Sequence, residues 1–117
     1  MKETVVGPKS FDFAIRIVNL YKFLVETKKE FVMSKQVLRC GTSIGANIRE
    51  SRGAESKPDF IHKLSIALKE TDETLYWLEL LHRTEYISDE QFESLKIDVV
   101  ELRKIISSII LTTRQKK

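Results

Sequence analysis

With 117 residues, the chain is long enough for one domain with one hydrophobic core and too short for two. Its composition, 42% hydrophobic and 32% charged with 4 glycines and 2 prolines, excludes a disordered chain and favours helices. The formal net charge of +3 permits a polyanionic partner but does not require one.

The first residues and the single cysteine indicate the compartment. Cys40 has no second cysteine to pair with, which excludes an intrachain disulfide and fits a reducing environment. The N-terminus lacks the apolar core of a signal peptide, and no apolar run approaches the roughly 20 residues that span a membrane. We therefore expect a cytoplasmic protein with no membrane partner.

The first helix is predicted over about residues 9–27, after Gly7 and Pro8, which are interpreted as a breaker. Two sets of apolar residues recur at helical spacing. The main stripe consists of Phe11, Ala14, Val18, Tyr21 and Val25. A second set widens it and consists of Phe13, Ile17, Leu20 and Leu24. The combined arc is wider than a helix that only caps a small core would need.

The second helix is predicted over 34–52, with Ser34 as its N-cap and Gly53 as its stop. Its apolar arc passes without interruption through Gly41 and Gly45, although each glycine inside a helix costs about 1 kcal/mol relative to alanine. The spacing matches neither a P-loop, which needs a following lysine, nor a dinucleotide-binding fingerprint. The two glycines therefore predict close packing of a neighbouring helix.

The third helix is predicted over 57–83 after a capping sequence at Ser56, and the fourth over 89–113 after a capping box at Ser88. The main stripe of the third helix is Phe60, Leu64, Ala67, Leu68, Thr71, Leu75 and Leu78. The fourth has a seam at alternating spacings of three and four, formed by Phe92, Leu95, Val99, Leu102, Ile106 and Ile109. Four helices joined by short links predict an all-α, antiparallel up-and-down four-helix bundle as a single domain over 1–117.

No set of catalytic or metal-binding residues is found. Glu79 and His82 have the E-x-x-H spacing of di-iron bundle proteins, but such sites need the motif on two helices, and His62 lies on the same helix. Serine, histidine and aspartate are present without a nucleophile elbow, and Cys40 lies on an apolar arc, where a thiol usually acts as a small hydrophobic group. We expect no enzyme activity, no metal and no cofactor.

Residues 34–81 resemble a known family. The second helix carries a pattern of the form Q-L-R-x-x-x-S-I-x-A-N-I-x-E, matched by Gln36, Leu38, Arg39, Ser43, Ile44, Ala46, Asn47, Ile48 and Glu50. The third helix carries the aromatic run Tyr76 to Leu78. Both features are similar to the bacterial proteins encoded in intervening sequences of 23S ribosomal RNA. Many relatives have glycine directly after the glutamate, where this chain has Ser51, as one subgroup does.

The resemblance implies a four-helix bundle that assembles into a ring-shaped homopentamer. A similar protein is the accessory subunit of diversity-generating retroelements, in which a basic pentamer engages nucleic acid and a reverse transcriptase. A reverse transcriptase or another protein is thus an implied partner, together with RNA or DNA. The family name describes a genomic location and implies no activity.

Apolar side chains outside the core stripes predict self-association, because contiguous apolar patches usually mark partners. The candidates for this interface are Phe13, Ile66, Trp77 and Leu81.

Basic residues on the polar face of the second helix predict an electrostatic contact with nucleic acid. They are Lys35, Arg39, Arg49 and Arg52. In a ring this face would repeat around an axis, and phosphate attraction grows with each contact. The leading hypothesis is a non-catalytic oligomeric scaffold that binds nucleic acid with weak sequence specificity. The alternative is a protein-interaction module whose basic face only keeps it soluble.

Overall fold

The computed structural model describes residues 2–116, and within them it contains four helices and no strand. The helices are α1 (Lys2–Glu26), α2 (Met33–Ser51), α3 (Lys57–Arg83) and α4 (Asp89–Gln115). Each helix packs against the next along the chain, and α1 packs against α4 to close the bundle, which measures 50 × 22 × 19 Å. The predicted all-α four-helix bundle is confirmed. Within residues 2–116, no helix is long and apolar enough to cross a membrane.

Ion pairs between the first and last helices show that α1 and α4 run antiparallel. Lys9 Nζ lies 2.9 Å from Glu101 Oε1, and Arg16 Nη1 lies 2.6 Å from Asp98 Oδ2. Residue numbers therefore rise along α1 while they fall along α4. These pairs lie at the edge of the α1–α4 contact, where exposed ion pairs each contribute little to stability.

One contiguous apolar core runs through the bundle. Every residue of the predicted α4 seam is buried, and Ile110 joins it. The largest side chains that are fully enclosed include Phe13, Ile17, Leu24, Ile44, Leu64, Leu78, Leu81, Leu102 and Ile106. Burial of such side chains supplies the main driving force for packing four helices whose isolated stability would be marginal.

The first helix begins at Lys2, not near residue 9. Gly7 and Pro8 lie inside it, so their interpretation as a breaker is wrong. Val6, before them, is 3% exposed and belongs to the core, and the Ser10 hydroxyl after them donates to the Gly7 carbonyl at 2.9 Å. Tertiary packing of this first segment outweighs the poor helix propensity of glycine and proline.

Two of the residues predicted to form an oligomer interface lie in the core of the monomer. Phe13 is 2% exposed and Leu81 is fully buried. The core of α1 is centred on the Phe13 set, and the Phe11 set lies at its flank, which reverses the predicted order of the two stripes. Leu81 continues the α3 stripe one turn beyond Leu78. Burial inside the subunit therefore excludes Phe13 and Leu81 from an interface.

The N-terminus of α2 is capped by Glu30 and not by Ser34, which lies within the helix. The Glu30 carboxylate accepts hydrogen bonds from the backbone N–H groups of Val32, Met33 and Ser34 at 3.1, 3.0 and 2.7 Å. Burial would raise the pKa of Glu30, but the backbone donors outweigh it and lower the pKa below its ordinary value of 4.5. The carboxylate stays charged and fixes the entry into α2.

Candidate nucleic-acid interface

The four basic residues predicted to contact nucleic acid do not form one site. Lys35 is exposed in the first turn of α2, whereas Arg49 and Arg52 lie at its other end. Fourteen residues separate Lys35 from Arg49, which corresponds to about 21 Å along a helix. The predicted basic face thus consists of three separate parts: Lys35, Arg39, and the pair formed by Arg49 and Arg52.

Arg39 is held by carboxylates of α3. Its guanidinium lies 3.2 Å from Glu70 and hydrogen bonds to Glu73, which also accepts from Trp77 Nε1 at 3.1 Å. The hydrogen bond to Arg39, followed by that from Trp77, lowers the pKa of Glu73. The hydrogen bond to Glu73 in turn raises the pKa of Arg39. The Arg39 charge is therefore compensated within the subunit, and this residue links α2 to α3.

Arg49 and Arg52 converge on a groove between the first half of α1 and the last turns of α2. The Arg49 guanidinium carbon lies 5.4 Å from the centre of the Phe11 ring, within the range of a cation–π contact. Arg52 Nη2 lies against the backbone of Gly7, so close that a Cβ atom at that position would overlap it. Both arginines are exposed, and within residues 2–116 neither has a carboxylate partner at ion-pair distance.

The groove has a volume of about 540 Å³, and its walls combine apolar and cationic groups. Half of Phe11 remains exposed to solvent at its mouth. The groove also contains Glu50, but the Oε1 atom of this carboxylate lies 3.2 Å from Lys63 Nζ. Because Lys63 offsets that acidic charge, the groove carries a net positive charge from its two arginines.

The two glycines of α2 lie where α2 contacts α1. A Cβ atom at Gly41 would stand 2.8 Å from Ile17 Cγ1, and one at Gly45 would stand 3.3 Å from the Ser10 carbonyl oxygen. The two helix backbones therefore approach closely at this point. Gly45 also lines the groove, which therefore lies beside this close approach of α1 and α2.

Phe11 and Gly7 line the groove, although the sequence predicts neither of them as a site residue. The helical spacing places Phe11 in the core stripe of α1, and the breaker interpretation places Gly7 before the helix. The sequence does contain an indication of the position of Phe11. Ile17, Leu20 and Leu24 of the second set form a more aliphatic stripe, which favours that set as the core face of α1. A core centred on that set leaves Phe11 at the flank.

Cys40 and His82 lie outside the groove and make contacts within the subunit. Burial raises the pKa of the Cys40 thiol to about 11, so the thiol is neutral and enclosed. His82 stacks on Phe92 at a ring distance of 4.4 Å and lies 2.6 Å from Asp89. No three histidine, cysteine, aspartate or glutamate side chains of residues 2–116 are placed to hold a metal ion. The groove thus combines the cationic groups of Arg49 and Arg52 with the aromatic ring of Phe11.

Exposed apolar side chains mark a surface on α4. Ile97 is 65% exposed and Leu111 is 60% exposed, and both lie on the outer side of the helix with Val100. We call these three residues the α4 stripe. Ile66 and Trp77 of α3, which the sequence predicts to form an interface, are half-buried. The α4 stripe is therefore the more exposed of the two candidate surfaces.

Comparisons with known proteins identify the family. The sequence matches the model of the 23S rRNA-intervening sequence protein family over residues 2–108. It is 66% identical to a protein of unknown function from the S23 ribosomal protein family of Bacteroides thetaiotaomicron. The crystal structure of that protein superposes on this structure with a TM-score of 0.93. That match covers 94% of this chain and 98% of the other. The search of curated proteins finds no match. The chain belongs to the 23S rRNA-intervening sequence protein family.

Proposed function

We propose that the protein is a non-catalytic, self-associating scaffold that binds the phosphate backbone of RNA or DNA. One observation carries this proposal: Arg49 and Arg52 converge on the groove without a carboxylate partner among residues 2–116. A guanidinium that is not held by a carboxylate can donate two parallel hydrogen bonds to a phosphate. Arg39 has no such freedom, since Glu70 and Glu73 hold it.

Self-association would raise the overall affinity of this weak site for nucleic acid. Two arginines provide few phosphate contacts, so a single subunit should bind weakly and only at low salt. Linking several copies raises the overall affinity without new contacts, provided that their grooves are engaged together. The resemblance of the sequence implies a pentamer, which would repeat the arginine pair in every subunit.

The α4 stripe supports assembly because two of its side chains, Ile97 and Leu111, are largely exposed to solvent in the monomer and Val100 is half-buried between them. It lies on a different helix from those that form the groove. Assembly through the α4 stripe would thus leave Arg49 and Arg52 free to contact nucleic acid. A reverse transcriptase or another nucleic-acid enzyme is the protein partner that the family resemblance implies.

Binding to nucleic acid is tested directly with the wild-type protein. Fluorescence anisotropy of labelled RNA and DNA at about 50 mM salt should show association that weakens steeply as salt is added. Scrambling the sequence of the probe should change the affinity little, since backbone contacts carry no sequence information. Absence of binding to every probe at low salt would reject the proposal.

A second candidate function, a protein-interaction module, is favoured by the link between α1 and α2. Phe31 is 53% exposed and Val32 is 72% exposed, although Glu30 holds this link in a fixed conformation. These two adjacent side chains form an exposed apolar surface on the link, to which a protein partner could bind. If the wild type binds no nucleic acid, this second function takes first place. Replacing both residues with serine should then abolish the capture of its protein partner.

A further inference from the structure

We infer that the groove between α1 and α2 binds one nucleotide of a single strand, with its base stacked on Phe11 and its phosphate between Arg49 and Arg52. This inference rests on the proposed nucleic-acid function and names its ligand. It distinguishes a single strand from a duplex, a distinction that the arginines alone do not make.

Phe11 is placed where its ring can stack on a base. Half of this large aromatic side chain is exposed beside the arginines, and Arg49 lies 5.4 Å from the centre of its ring. Nucleobases of single strands stack on aromatic rings and on guanidinium planes. The bases of a duplex are already stacked on one another, so a duplex would offer Phe11 no base face. The aromatic ring therefore favours a single strand.

The two cationic groups are spaced so that both lie along the groove. Arg49 and Arg52 are three residues apart, a separation that brings two side chains to the same side of a helix end. The Arg52 guanidinium reaches across the groove to Gly7 of α1, and Arg49 reaches to Phe11 of the same helix. Gly7 and Phe11 are four residues apart, about 6 Å along a helix, so the two guanidiniums contact α1 at neighbouring turns. A phosphate placed between them would be joined to a base at Phe11.

The size of the groove also fits this ligand. A groove of about 540 Å³ falls within the range of pockets that hold small ligands, roughly 300–1,000 Å³. A volume in that range accommodates one nucleotide. Six of the groove's lining residues are exposed, Pro8 and Ala46 among them, so the groove is open and the neighbouring nucleotides of a strand can leave it into solvent.

The test compares a single-stranded RNA of about 15 nucleotides with a duplex of the same sequence, using the wild type and two variants. Phe11→Leu keeps an apolar side chain at an exposed position and removes the ring, while Phe11→Trp keeps a stacking surface. We expect Phe11→Leu to weaken single-strand binding on the order of tenfold and to leave duplex binding unchanged. Phe11→Trp should retain wild-type affinity for the single strand. Phe31→Leu, at an equally exposed aromatic residue outside the groove, should change neither.

Several results would overturn the inference. Equal losses of single-strand and duplex affinity in Phe11→Leu, or no loss at all, would show that the ring does not contact a base. Stronger wild-type binding to the duplex would have the same meaning. Adenosine monophosphate that competes as well as the strand, at equal nucleotide concentration, would identify a free nucleotide as the ligand.

The failure of this inference is distinguishable from the failure of the proposed function. If single strand and duplex bind equally and both depend on Arg49 and Arg52, the scaffold proposal stands and the stacking inference is wrong. If the wild type binds neither probe at low salt, both fail.

Discussion

Gly41 of α2 lies directly against Ile17 of α1, because a Cβ atom at position 41 would stand 2.8 Å from Ile17 Cγ1 and 2.9 Å from Cγ2. Ile17 is fully buried and branched at Cβ, so it has little freedom to move away. Glycine is therefore required here by its neighbour, and not by an unusual backbone angle, since no glycine among residues 2–116 has a positive φ.

The glycine contact predicts the effect of larger side chains. Gly41→Leu and Gly45→Leu should each lower the free energy of unfolding by about 1–3 kcal/mol through overpacking, despite the better helix propensity of leucine. The control is Gly53→Leu, because the nearest atom to a Cβ at that position is 3.8 Å away. Chemical denaturation would measure all three. A higher stability of either of the first two variants would contradict the close-approach account.

The link between Arg39 and Glu73 predicts a pH-dependent contribution to stability. Since Arg39 lowers the pKa of Glu73, the pair stabilises the fold above the ordinary carboxyl pKa of 4.5 and ceases to do so as pH falls through the lower folded pKa. Arg39→Met should cost about 0.5–1 kcal/mol at neutral pH, as expected for a largely exposed pair, and progressively less in acid.

The control for Arg39→Met is Lys22→Met. Lys22 is exposed and has no ion pair among residues 2–116. Its replacement should leave the free energy of unfolding nearly constant across the same pH range. A cost of Arg39→Met that does not change between neutral pH and acid would show that the packing of the side chain, and not its charge, explains it.

The cap at Glu30 gives a third prediction. Glu30→Gln replaces a charged acceptor that satisfies three N–H groups at the start of α2, so it should cost about 1–2 kcal/mol. The depressed pKa of Glu30 means that this contribution is complete above 4.5 and disappears as pH falls through the folded pKa. Glu26→Gln, at an exposed position in the last turn of α1, should have little effect in the same urea titrations.

Regular features of the bundle can be predicted from the sequence, because hydrophobic spacing and capping residues act locally. The α4 seam and the capping box at Ser88 are found as expected, with Gln91 N–H donating to the Ser88 hydroxyl at 3.1 Å. The start of α1 cannot be predicted in this way, since the burial of Val6 depends on the other helices. The local propensities of Gly7 and Pro8 favour a break before the helix and not a helix that continues through them.

For a similar reason, the sequence predicts only some of the residues that form the groove. The helical wheel places Arg39 and Arg49 on the same polar face, but it contains no information on the helix that packs beside each one. Glu73 of α3 neutralises Arg39, whereas Phe11 of α1 lies under Arg49. The difference between a structural arginine and a free one is set by tertiary contacts.

The α4 stripe predicts how the subunits assemble. Light scattering at micromolar concentration should give a mass several times 13.6 kDa, and fivefold for the implied pentamer. Ile97→Glu with Leu111→Glu should reduce that mass and leave the helicity unchanged, because both side chains are exposed in the monomer. Phe31→Glu with Val32→Glu is the matched control, with equally exposed residues in a link.

Other outcomes of this experiment would assign the interface to a different surface or show that the protein does not self-associate. If the α4 variant keeps its mass while Ile66→Glu or Trp77→Glu lowers it, the half-buried surface of α3 forms the contact. A monomeric wild type would remove the basis for repeated arginine pairs.

The last prediction concerns the arginine pair. Arg49→Glu with Arg52→Glu should abolish binding to RNA and DNA at low salt. For any residual binding, the slope of log affinity against log salt should become shallower by about 0.7 for each single-strand phosphate that the variant no longer neutralises. Stability and mass should be retained, because neither guanidinium is buried or ion-paired within residues 2–116.

The matched control is Lys22→Glu with Arg83→Glu, which changes the net charge equally at the opposite end of the bundle. Equal reductions of affinity in the two double variants would indicate a general effect of charge and not a site. A reduction confined to the Arg49 and Arg52 variant would locate binding at the groove, because only that variant alters the cationic groups beside Phe11.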